Sequence, residues 1–200
     1  MPKSSAWVAG GSAERGERTR ERLLDAAVVL VGEVGWGAVT TRLVTQRAGV
    51  NPALVHYHFA SVADLLTTAT VRFARQVLAE FGVVLRAAPS AAEGVGSMLA
   101  ELGRYSGTDP ASLLMAEAFL AANRLPVLRE SMAELVAEFR AAVSEWLRVH
   151  GHGDDSDALA MLLAASLDGL LLHSALDPAL DLGAAAAPLR RLLAEQGRAR

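Results

Sequence analysis

Residues 40–59 read Thr40-Thr41-Arg42-Leu43-Val44-Thr45-Gln46-Arg47-Ala48-Gly49-Val50-Asn51-Pro52-Ala53-Leu54-Val55-His56-Tyr57-His58-Phe59. Thr40 is a good N-cap, because its hydroxyl can accept from a free amide of the first turn. Val44 and Ala48, four residues apart, fall on one face of the helix that follows. Gly49 stands where that helix must stop and turn, a position that often requires positive φ. Val50 packs into the angle. Asn51-Pro52 is a second start signal: a capping side chain, then a proline whose missing N–H costs nothing at the first helical position. Leu54, Val55 and Phe59 supply the second helix with apolar contacts. Two short helices joined by a brief turn containing glycine make a helix-turn-helix.

The last turn of the second helix carries His56, Tyr57 and His58, where surface helices more often show Glu and Lys. Imidazole and phenol groups hydrogen-bond phosphate oxygens and base edges, which suits a helix that enters the DNA major groove. The plainer alternative is an aromatic-rich helix packed on its neighbour. Following this turn chemistry, the DNA reading is the better one.

The run from about Thr19 to Leu66 resembles the DNA-binding domain of the TetR family of transcriptional regulators. The resemblance rests on Arg22-Leu23-Leu24-Asp25-Ala26-Ala27, then Gly35-Trp36, then Thr40 to Phe59, then Ser61 and Leu65-Leu66, in order and at the family's spacing. It implies that Thr40 and Tyr57 contact the DNA backbone, and that Pro52, Ala53, Leu54, His56 and His58 face the groove or its phosphates. The full DNA-facing set expected is Thr40, Thr41, Arg42, Asn51, Pro52, Ala53, Leu54, His56, Tyr57 and His58. Two positions depart from the family: Val62 stands where a Lys is common, which removes one phosphate contact, and Leu43 stands where an acidic or polar residue is common.

The chain has 200 residues, is 52% hydrophobic and has no cysteine. It can bury a large core, and it has neither a disulfide framework nor a thiolate metal site. Alanine and leucine dominate, which favours helices. No apolar run reads as long enough to span a bilayer, and Met1 to Gly16 has no apolar signal-peptide core. A cytoplasmic protein without a membrane partner is expected. The net charge of −3 divides unevenly: residues 1–58 hold seven Lys or Arg against five Asp or Glu, a net of +2, and the remainder twelve against seventeen, a net of −5. Arg15, Arg18, Arg20 and Arg22 are candidates to track phosphates beside the groove, against the blander reading of a solvated arm.

An all-α fold of about nine helices is expected: a disordered arm over 1–16, a three-helix DNA-binding domain over 17–62, and a helical bundle over 63–200. Later helices are read from near Ser61 to Leu85, Ala91 to Tyr105, Ala111 to Asn123, Val127 to Val149, Ser156 to Ala175 and Ala187 to Gln196. The family resemblance assigns effector binding and dimerisation, through the last two helices, to the bundle. Physical arguments for a homodimer are independent of it. The Ser156–Ala175 helix is too apolar to leave a face in water, and helix-turn-helix readers need two recognition helices about one DNA turn apart, roughly 34 Å.

A bundle of this kind is expected to hold an effector between its helices. Apolar, aromatic or oddly polar residues in apolar stretches give Tyr105, Met115, Phe119, Trp146, Leu170 and His173 as lining candidates, for a largely apolar small molecule. Each is by default a core residue. His150 and His152 with the nearby aspartates read as a solvated loop rather than a metal site, and no cofactor is implied. An α-helical enzyme is the competing class, but there is no phosphate loop, no cysteine nucleophile and no His with a Ser and Asp partner at a recognisable spacing. The expected function is a repressor that binds a palindromic operator as a dimer and is released by a small molecule. A ligand-independent or activating regulator is the alternative.

Overall fold

A computed structural model describes residues 6–196. Among them are nine α-helices and no strand: α1 (Ala6–Val34), α2 (Thr41–Ala48), α3 (Ala53–His58), α4 (Val62–Ala87), α5 (Ala91–Leu102), α6 (Pro110–Ala122), α7 (Pro126–Leu147), α8 (Ser156–Leu176) and α9 (Leu182–Gln196). The expected all-α fold is the observed one. Most helix starts follow side-chain caps. Ser61 accepts from the Asp64 amide while Asp64 accepts from the Ala60 amide, a reciprocal cap at the start of α4. Asp109 accepts from the Ala111 and Ser112 amides and from the Ser112 hydroxyl at 2.6 Å. Burial alone would raise the Asp109 carboxyl, but these bonds and those from Ser106 outweigh it and hold it below the usual carboxylate range.

Three expectations need correction. The described part of the segment read as a disordered arm is helical, since α1 begins at Ala6; residues 1–5 lie outside the described range. The last helix begins at Leu182, not near Ala187, and carries Pro188 inside it. Asp181 caps it by accepting from the Ala184 amide, and Leu182, Ala185, Ala186 and Leu189 pack against the bundle core, so burial outweighs the bond that Pro188 removes. Finally, the stretch Pro126–Leu176 does contain a segment long and apolar enough to cross a bilayer by composition. In the fold that stretch is two helices, α7 and α8, broken by a turn at Arg148–Asp155 and packed on each other.

The core falls into three clusters. The N-terminal one gathers Leu23, Leu24, Ala27 and Val31 of α1 with Val44, Val55 and Phe59, and continues onto α4 through Leu65, Leu66 and Ala69. It therefore does not stop at residue 62. It also takes in Leu114 of α6, which is fully buried. The bundle core joins Phe81, Val95, Met98, Phe139, Val143, Leu147 and Leu163, and a small third cluster of Ala74, Ala121, Leu128, Met132 and Leu135 lies between them. α1 and α6 cross closely at Gly32, where a Cβ would stand 2.7 Å from the Pro110 carbonyl oxygen. No larger residue fits there without moving a helix.

Candidate DNA-binding surface and ligand cavity

The helix-turn-helix forms as its turn chemistry dictates. Thr40 is extended and its hydroxyl accepts from the Leu43 amide at 3.3 Å. Gly49 sits in the left-handed region at φ 62°. The Gly49 amide donates to the Gln46 carbonyl and the Val50 amide to the Thr45 carbonyl, the paired bonds of a Schellman ending. Arg22 of α1 reaches across and donates to the Ala48 and Gly49 carbonyls, placing a cation on the negative end of α2. Asn51 accepts from the Ala53 amide at 2.9 Å, and Pro52 takes helical angles at the mouth of α3.

This leaves one polar face in water. Thr40, Arg42, Asn51, Pro52, Ala53 and His56 are exposed, and Tyr57 is 79% exposed. Thr41, Leu54 and His58 are half-buried. His58 packs edge-on against Tyr57 with ring centroids 4.9 Å apart. All ten expected DNA-facing residues therefore lie on or beside the start of α2, in the turn before α3, or on α3. The arginines divide by role. Arg22 caps α2, Arg47 makes a two-pronged pair with Glu33, and Arg72 pairs with Asp25. Arg20 lies over the Phe59 ring at 5.4 Å and within 3.9 Å of Glu17, and Arg18 pairs with Glu14. Arg15 and Arg42 are left exposed with no ion pair among the described residues. Arg22 is thus committed to the fold, a role its position in the first helix does not reveal.

The bundle holds a cavity of about 990 Å³, its open mouth included, bounded by α4, the end of α5 and the chain after it, α6, α7 and α8. Tyr105, Met115 and Phe119 line it as expected. Trp146, Leu170 and His173 do not. Trp146 is buried against α5, where a Cβ on Gly94 would lie 2.3 Å from its ring, and it stacks near His150. Leu170 and His173 face a shallow depression beside Pro188 and Leu189 of α9. The reason is helical phase: Ala164, Leu167, Asp168 and Leu171 form the cavity face of α8, and His173 is five residues beyond Asp168, roughly 140° around the helix.

Asp168 is the site residue that the sequence reading passed over. It is one of several polar residues within the apolar run of α8, and the i, i+3, i+4, i+7 series Ala164, Leu167, Asp168, Leu171 marks its face. Its carboxylate meets solvent yet makes no hydrogen bond or ion pair among the described residues. The crowding of protein around it pushes its pKa up to about 6. Desolvation also raises the Tyr105 phenol, aided by Glu80, Glu101 and Asp109 and opposed by Arg104. The histidine loop is partly solvated, with Gly151, Asp154 and Asp155 exposed, but His150 Nδ1 lies 2.7 Å from the Trp146 carbonyl oxygen and His152 is buried. Among the described residues no group of three metal-ligating side chains converges.

α6 touches both regions. One face supplies Ala111, Ser112, Met115, Ala116 and Phe119 to the cavity. The other puts Leu114 into the N-terminal core, and its Glu117 carboxylate accepts from the Trp36 amide at 2.9 Å, beside the turn that leads into α2.

Comparison with known proteins agrees with both halves. Residues 23–69 match the domain described as bacterial regulatory proteins, tetR family, and residues 89–196 match the tetracyclin repressor-like C-terminal domain. The HTH-type transcriptional regulator BetI of Rhizobium meliloti (strain 1021) is 31% identical over 162 residues, covering 80% of this chain and 79% of that protein. A transcriptional regulator of Streptomyces coelicolor A3(2), SCO7518, superposes with a TM-score of 0.70 at 29% identity, over 90% of this chain and 99% of the other. The multidrug binding protein EbrR, solved with malachite green, superposes with a TM-score of 0.60 at 28% identity, over 88% and 96%. The chain belongs to the TetR family of bacterial regulatory proteins, and it is a DNA-binding helix-turn-helix transcriptional regulator rather than an enzyme.

Proposed function

We propose that the protein is a cytoplasmic repressor that binds a palindromic operator as a homodimer and leaves it when a small molecule fills the bundle cavity. The observation that carries this reading is the double role of α6, with one face on the cavity and Leu114 in the N-terminal core. A ligand that prefers a shifted α6 thereby prefers a different setting of α1 and of the turn at Trp36. Only such differential affinity can move the equilibrium between DNA-competent and incompetent forms. The multidrug binding protein EbrR, solved with malachite green, supports a small-molecule role for a chain of this fold.

The contact surface on DNA is the exposed set around Thr40, Arg42, Asn51, His56 and Tyr57. Pro52, Ala53 and Leu54 offer few hydrogen bonds to base edges, so methyl contacts and DNA shape carry much of the selectivity. Dimerisation runs through α8 and α9. Met161, Leu162, Leu172 and Leu176 of α8 are all about half exposed or more in the single chain, an apolar surface that a second copy would cover. A footprint on DNA upstream of the gene tests the proposal. Two protected half-sites roughly 34 Å apart, lost when ligand is added, are expected. Protection unaffected by any effector would favour the ligand-independent alternative, and transcript levels in a deletion strain would separate repression from activation.

A further inference from the structure

We propose that the cavity takes an organic cation with an apolar body, and that Asp168 pairs with its charge. The inference deepens the effector reading above and rests on it. The walls are apolar apart from a few groups, and they present five aromatic rings: Phe73, Phe81, Tyr105, Phe119 and Phe139. Asp168 is the single acidic or basic side chain among the described residues that line the cavity.

Asp168 is exposed to water where it joins these walls, so its carboxylate stands open to a cation that enters between the rings. Among the described residues no Lys, Arg or His lines the cavity with it, and no hydroxyl or amide donates to it. Packing does not explain it either, since Leu167 and Leu171 on the same face show that leucine would complete the wall. A bound cation would pair with it directly. It also gains from the ring faces, whose negative quadrupoles attract positive charge. A neutral apolar molecule would suit the walls but leave the carboxylate unpaired, and an anion would meet repulsion. The wider field agrees: around Tyr105 three carboxylates, Glu80, Glu101 and Asp109, stand against one guanidinium, Arg104.

The test uses two ions of nearly equal size and shape and opposite charge, tetraphenylphosphonium and tetraphenylborate. Each is titrated calorimetrically into the full chain, into Asp168→Asn and into Asp168→Glu, with helix content and melting checked for every variant. The wild type is expected to prefer the phosphonium by about tenfold or more. Asp168→Asn should abolish the preference and Asp168→Glu should retain most of it. Equal affinity for the two ions, preference for the borate, a preference that survives in Asp168→Asn, or no binding of either ion would overturn the assignment. Release of upstream DNA is read on the same samples. If an uncharged apolar compound releases DNA while the ions are not distinguished, the Asp168 pairing fails and the effector reading stands. If the protein holds DNA but no compound releases it, the effector reading itself fails.

Discussion

Truncating Leu114 to alanine tests whether α6 is built into the DNA-binding domain. Leu114 belongs to a helix of the bundle, yet its side chain is fully buried among α1 and its neighbours. Leu→Ala at sites of this kind costs about 2.7–5 kcal/mol, the spread reflecting how far the surroundings collapse. Here collapse is restricted. α1 and α6 already touch at Gly32 and Pro110, and Glu117 is tied to the Trp36 amide, so the gap left by the methyl groups stays open. A loss of about 3–4 kcal/mol follows. For a chain of this size that lowers the melting temperature by roughly 6–16 °C. The assay is urea unfolding followed by circular dichroism and by tryptophan fluorescence, since Trp36 packs beside this core. A loss below about 1 kcal/mol, within the ordinary range for surface positions and mild changes, would refute the claim that α6 is welded to the N-terminal core. The coupling argument would fall with it.

Replacing His56 and Tyr57 together by alanine should abolish sequence-selective DNA binding in an anisotropy titration while moving stability by no more than about 0.5 kcal/mol per site, because both are exposed. Gly49→Ala should cost about 1–3 kcal/mol through the left-handed backbone it must adopt, and its Cβ would meet the Arg22 guanidinium at 3.1 Å; urea midpoints measure this, and an unchanged midpoint would mean that the turn has another geometry. His152 is buried, and desolvation, then His150, holds its pKa below the ordinary value of 6.5. The folded chain therefore binds this proton less readily than the unfolded chain. Its stabilising contribution is complete above the unfolded pKa and is lost as pH falls through the folded one. Unfolding free energy measured from about pH 7.5 down to pH 5 should fall less in His152→Gln than in the wild type, and parallel curves would contradict the burial of a neutral imidazole.

Turn chemistry carried most of what the sequence disclosed. Thr40, Gly49, Asn51 with Pro52, Ser61 and Asp109 each fix a helix end through local bonds, so their positions are readable without knowing the fold. Where burial overrides local preference the sequence misled. Pro188 marks a helix start by propensity, but Leu182 and Ala185 pull the chain into α9 a turn earlier. The exposed face proposed to meet DNA was legible as a surface because its residues cluster within twenty positions of one motif. The cavity was not, because its walls come from five helices and a connecting loop, and packing sets the helix phases. Tyr105, Met115 and Phe119 fell on the right faces. His173 was favoured over Asp168 although both are polar residues in one apolar helix, and only the α8 phase separates them. Arg22 illustrates the same limit: its charge is evident, but its use as a cap on α2 depends on a contact 26 residues away.

The most direct test of the account is an anisotropy titration of labelled DNA from upstream of the gene, run at two salt concentrations with excess competitor DNA. Saturable binding by two chains per duplex that survives competitor is expected. Weakening with added salt is expected in proportion to the phosphates contacted. Binding that ignores sequence and vanishes with salt, on this DNA and on a random pool subjected to selection, would contradict the claim that the exposed face of α2 and α3 reads an operator.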